Sequence, residues 1–189
     1  MSGIEELAPR IRGPQERAAY DGSAAPTERR AKRLDAVAKA AFNNLRAYSN
    51  CCRSTLWALQ THLRLDAPDV LKASTTLAGG IGGTGETCGA VIGALMAIGL
   101  AQGSLDTEDL ESDRAAREAA RRFVERFTER FHSTRCYGLQ EATIGWRCDD
   151  PSLEEKWLAA DGPLACASVC AEAARIAADL ILGGAADSA

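Results

Sequence analysis

Seven cysteines, at positions 51, 52, 88, 136, 148, 166 and 170, are the residues of this chain most able to do chemistry. A thiolate is both a nucleophile and a soft metal ligand. Three of the seven open predicted helices. Cys51 and Cys52 follow Asn50, a good N-cap, and Cys88 follows the run Gly79-Gly80-Ile81-Gly82-Gly83-Thr84-Gly85. Helix N-termini carry partial positive charge and unpaired N–H groups, which stabilise a thiolate. Cys166 and Cys170 stand one turn apart on one helical face, as a chelating or disulfide-competent pair would. Cysteine is also among the most buried residue types, and Cys148 and Cys166 read as small core hydrophobes. Cys88 does not, because an ordinary core cysteine needs no glycine run before it.

Composition narrows the setting. Seven cysteines in 189 residues are too few for a disulfide scaffold, which runs at about 8–10%. Their number is odd, and Met1 to Arg12 shows no apolar signal core, so the expectation is a cytoplasmic, reducing compartment. The net charge of −4 argues against nucleic acid and anionic membranes as general partners. The uncharged stretch from Cys88 to Ala101 is too short to span a bilayer, so no membrane span is expected.

The elements that must position these thiols are helical. Residues 1–26, with Pro9, Pro14 and Pro26 among many charges, read as an extended or disordered arm. Residues 27–189 read as one domain opening near Thr27. Leu34, Val37, Ala41, Leu45 and Tyr48 follow helical spacing, and a second helix runs from Cys51 to Leu63. Asp66-Ala67-Pro68 signals a third start, with Asp66 as cap, for a helix reaching Leu77. Cys88 to Ala101 is apolar on every side and reads as the buried central helix. Its Gly89, Gly93 and Ala97 form a face that a neighbouring backbone can approach. Ser104 to His132 is a long charged helix with Phe123, Phe127 and Phe131 on its buried stripe. Ser133 to Pro151 looks irregular. Ser152-Leu153-Glu154-Glu155 has capping-box spacing ahead of Trp157, and a last helix covers Leu164 to Leu182. With no strand alternation, the prediction is all-α: a compact bundle of about five to seven helices around a Gly-rich central one.

Cys88-Gly89-Ala90-Val91-Ile92-Gly93, together with Asn50-Cys51-Cys52-Arg53-Ser54-Thr55-Leu56-Trp57, resembles the C_GCAxxG_C_C family of redox proteins over roughly residues 43–182. The resemblance implies four key cysteines, which segment by segment are Cys51, Cys88, Cys136 and Cys170. Cys166 fits almost as well as Cys170, and Cys52 could stand in for Cys51. A similar domain occurs in split-Soret cytochromes c. This chain has no Cys-x-x-Cys-His, so covalent haem is not implied.

Four thiolates brought together by the fold could hold an iron–sulfur cluster, with Gly82, Gly83, Gly85 and Gly89 offering N–H groups to its sulfurs. That is the first expectation, with Cys51, Cys88, Cys136 and Cys170 as ligands and an unidentified redox protein as partner. A zinc site on the same ligands lacks the usual paired spacing. The competing expectation is a metal-free dithiol in which a low-pKa Cys88 attacks and Cys51 or Cys136 resolves, with Glu86 as a general base. Glu86 also reads more simply as a carboxylate favoured at a helix start. A third option is a helical interaction module that forms a homodimer through the N-terminal arm and the apolar Gly89/Gly93 face. Gly80-x-Gly82-x-x-Gly85 has dinucleotide-loop spacing but no βαβ unit around it, so NAD is not expected.

Overall fold

The computed structural model describes residues 26–183. Eight α-helices follow one another: α1 (Pro26–Tyr48), α2 (Cys51–Leu63), α3 (Pro68–Ala73), α4 (Gly89–Gln102), α5 (Leu110–Phe131), α6 (Cys136–Ile144), α7 (Glu154–Ala159) and α8 (Gly162–Ile181). Short 3₁₀ turns cover Ser74–Leu77 and Pro151–Leu153. Among the described residues there is no strand, only an isolated antiparallel bridge between Thr87 and Arg135. The all-α expectation holds. The expected arm lies outside the described residues except for Pro26, which opens α1 in place of the Thr27 cap. No described helix is long and apolar enough to cross a membrane.

Small residues set how closely the helices pack. In α4, Ala90, Val91, Ala94, Ala97 and Ile98 are buried, against α2, α5 and α8. A Cβ on Gly93 would lie 2.5 Å from the Cys52 carbonyl oxygen, so α2 and α4 meet backbone to backbone. The Gly89/Gly93 face is therefore filled within the chain and is not free for the dimer considered above. Ala167, Ala173, Ala174, Ala177 and Ala178 let α8 approach its neighbours in the same way. Phe123 and Phe127 of α5 are fully buried and stacked at 5.7 Å between ring centroids. Each contributes about 1.5–3 kcal/mol by burial. On the outer side, Asp179 of α8 joins Arg30 of α1 at 2.7 Å and Arg126 of α5 at 2.8 Å.

The structure corrects three local expectations. Helix α5 starts at Leu110 rather than near Ser104. Ser104 and Asp106 accept backbone N–H bonds two residues ahead, holding a loop, and Asp109 caps the helix through the Ser112 N–H. Asp66 caps nothing; Ala67 precedes α3, which passes into a 3₁₀ turn after Ala73. The segment after Ser133 holds the nine-residue α6, which takes the count to eight helices. Only Cys136 and Leu139 of α6 are buried, so it lacks the apolar stripe that sequence reading depends on.

Candidate functional site: a group of thiols at three helix starts

Three helix N-termini and one mid-helix position converge. Asn50 ends α1–α2 in extended conformation and caps α2, its Oδ1 accepting the Arg53 N–H at 3.0 Å. Its Nδ2 donates to the Thr75 carbonyl at 3.0 Å, tying the α2 start to the 3₁₀ turn. The chain then makes a left-handed turn, with φ of 64°, 72°, 63°, 63° and 84° from Gly79 to Gly83. Glycine adopts this without penalty; Ile81 does not, and the bonds around it impose it.

The glycine N–H groups are spent inside that turn. Gly82 donates to Thr76, Gly83 to Ala78 and Gly85 to Gly79, at 2.8, 3.1 and 3.1 Å. They do not face the thiols, contrary to the expectation for these three glycines. Gly79 is the loop residue whose N–H contributes to lowering the Cys51 thiol. Sequence reading missed it because it lies at the edge of the run, away from Cys88.

Past the loop, residues 85–88 run antiparallel to 134–137. Cys88 N–H donates to Thr134 at 2.8 Å, Cys136 N–H to Glu86 at 2.7 Å and Tyr137 N–H to Gly85 at 3.3 Å. This pairing sets Cys88, at the head of α4, beside Cys136, at the head of α6. The Tyr137 ring covers Gly85, where a Cβ would collide with it, and its hydroxyl donates to the Gly83 carbonyl at 3.2 Å. The Glu86 carboxylate is half-exposed and paired with Arg135 at 2.8 Å. Its partner is a surface cation rather than a thiol.

At the centre, Cys51 and Cys88 are neighbours at the starts of α2 and α4. The Cys88 side chain, with the N–H groups of Gly79, Cys52 and Cys51, outweighs burial and lowers the Cys51 thiol to about 6. The Cys88 thiol is raised well above its ordinary value by Cys51 and by burial. The lowering falls on Cys51, where the expectation placed it on Cys88. Gly89 fits here for a steric reason: a Cβ would stand 2.5 Å from Cys51 Sγ.

The other thiols gather around this pair. Cys170 is fully buried, and its Sγ donates to the Cys51 carbonyl at 3.7 Å. Burial, then the charge on Cys51, raises Cys136 to about 11 and Cys166 to about 12. Gln140 Nε2 stands 3.8 Å from Cys136 Sγ. Cys166 is partly buried against the core, one turn before Cys170. Cys52 turns to Ser74 and is raised to about 12, chiefly by burial. Cys148 stands apart in the loop after α6, its N–H held by Gln140 at 2.7 Å. Among the described residues, no three His, Cys, Asp or Glu side chains are grouped so that they could hold a metal ion.

A sequence model of the C_GCAxxG_C_C family, described as "Putative redox-active protein", matches residues 49–180. The chain belongs to that family. The matched span opens just before Asn50 and closes at the last turn of α8, so it takes in every cysteine of the group. No curated protein and no solved structure matches the chain. C_GCAxxG_C_C membership gives redox activity as the family-level description of the chain.

Proposed function

We propose that Cys51 and Cys88 form a two-electron dithiol pair that reduces a disulfide substrate. The observation that carries this reading is the seat of the Cys51 sulfur against Gly89, the residue after Cys88, with the half-buried Cys51 lowered to act as the thiolate and the buried Cys88 raised to keep its proton. The Cys51 thiolate attacks one substrate sulfur, breaking the substrate S–S bond and forming a mixed disulfide. The leaving thiolate takes the Cys88 proton. The Cys88 sulfur then attacks Cys51 Sγ, closing the Cys51–Cys88 disulfide and releasing the second substrate thiolate, which is protonated by water. Two thiols of the protein are oxidised and one disulfide is reduced. A thiol donor must later reopen the bond, which suits a reducing compartment and a redox partner protein.

A second reading, an iron–sulfur cluster on Cys51, Cys88, Cys136 and Cys170, is supported by the soft donor set and by the convergence of these thiols. Their arrangement does not fit a metal ion as it stands, so no step is routed through a cluster. Anaerobic purification separates the readings. The dithiol protein is colourless and loses two titratable thiols to a stoichiometric disulfide, recovering them with dithiothreitol. An unchanged thiol count overturns the dithiol reading, and bound iron with acid-labile sulfide favours the cluster.

A further inference from the structure

Inside the thiol group, one buried hydroxyl has no partner. Thr55 of α2 is fully buried, and its Oγ1 makes no hydrogen bond among the described residues. The usual outlet for a helical threonine hydroxyl is the carbonyl one turn back. For Thr55 that carbonyl belongs to Cys51, and it already accepts the Cys170 thiol at 3.7 Å. The Thr55 hydroxyl faces the Cys170 sulfur, where it favours the ionised form. A donor left unsatisfied in the interior is costly unless another state of the site uses it.

We infer that Cys170 is a third redox thiol, reached by exchange with the Cys51–Cys88 disulfide, and that the Thr55 hydroxyl positions its sulfur for that step. This rests on the dithiol reading above. The Cys170 sulfur attacks Cys51 Sγ; a Cys51–Cys170 bond forms, the Cys51–Cys88 bond breaks, and the Cys170 proton ends on Cys88. The step moves a disulfide without net oxidation, so it needs no further reagent. Thr55 donates to the sulfur anion as it develops, the one form of the site that satisfies its hydroxyl. Because Cys170 is wholly buried, the product is a disulfide withdrawn from solvent.

The test uses the full chain, stoichiometric diamide as oxidant, alkylation and disulfide mapping by tandem mass spectrometry. In the Cys88→Ser protein, Cys51 has lost its first partner, and the expected product is Cys51–Cys170. Thr55→Val in that background slows its formation about tenfold, and Thr55→Ser restores the rate. In the wild-type protein, Cys51–Cys88 forms first and a Cys51–Cys170 fraction follows, a reading that does not depend on how the variant folds. Wild type giving only Cys51–Cys88, with Cys170 unbridged in both proteins, overturns the inference and leaves the dithiol reading standing. Equal rates with valine and threonine remove the role of Thr55. A wild-type protein that forms no Cys51–Cys88 bond overturns the dithiol reading itself.

Discussion

Gly89 lies so close to Cys51 that a methyl group there would stand 2.5 Å from the sulfur, 2.8 Å from the Leu77 carbonyl and 3.0 Å from the Cys52 nitrogen. Two of the three neighbours are backbone atoms, so neither a rotamer change nor a small shift relieves the contact. Gly89→Ala should cost about 1–3 kcal/mol of stability by overpacking. Urea unfolding would measure that cost. Iodoacetamide labelling should show Cys51 losing its elevated reactivity at neutral pH, because the sulfur is displaced from Cys88.

The acidity of Cys51 sets a pH profile. Its thiol is lowered to about 6, so the thiolate and the alkylation rate rise as pH increases through that value and level off above about 8. Cys88→Ser leaves only a weaker hydroxyl donor, and Cys88→Ala leaves none. The midpoint should move upward in the order wild type, serine, alanine. A common midpoint in all three proteins would contradict the Cys88 side chain as the main cause.

Glu86 gives a test in the opposite direction. Its carboxylate is half-exposed and its partner is Arg135, an arrangement worth less than about 1 kcal/mol. Glu86→Gln should leave thermal stability within a few degrees of wild type and the Cys51 alkylation profile unshifted. A large rate loss at constant pH would restore the general-base role that the structure does not favour.

Asp179 bears on stability alone. Arg126 and Arg30 hold its carboxyl below the ordinary value against burial. A carboxylate depressed in the folded state contributes stability that is full above its unfolded pKa, near 4, and is lost as pH falls through the folded value. Asp179→Ala should cost about 1–2 kcal/mol at pH 7, by denaturant unfolding, with the difference from wild type shrinking below pH 4.

Much of this was legible locally. The helical class, the Asn50 cap, the buried α4 and its Gly89/Gly93 approach face all follow from patterns within a few turns of chain, and the structure bears them out. Helix α6 was hidden because its start is held by backbone bonds to residues 85–88, roughly fifty positions earlier, rather than by its own stripe or cap.

The chemistry of the thiols divides the same way. Sequence alone marked Cys51 and Cys52 through the Asn50 cap, Cys88 through the glycines before it and, through one-turn spacing, Cys166 and Cys170. Only the tertiary structure supplies the surroundings that lower the Cys51 thiol and raise those of Cys88 and Cys166. The reason is the range of the forces. Caps and helix periodicity act within one turn of chain. A buried thiol's ionisation depends on donors, charges and solvent exclusion a few ångströms away in space, and here those come from the loop at Gly79, the α4 start and α8.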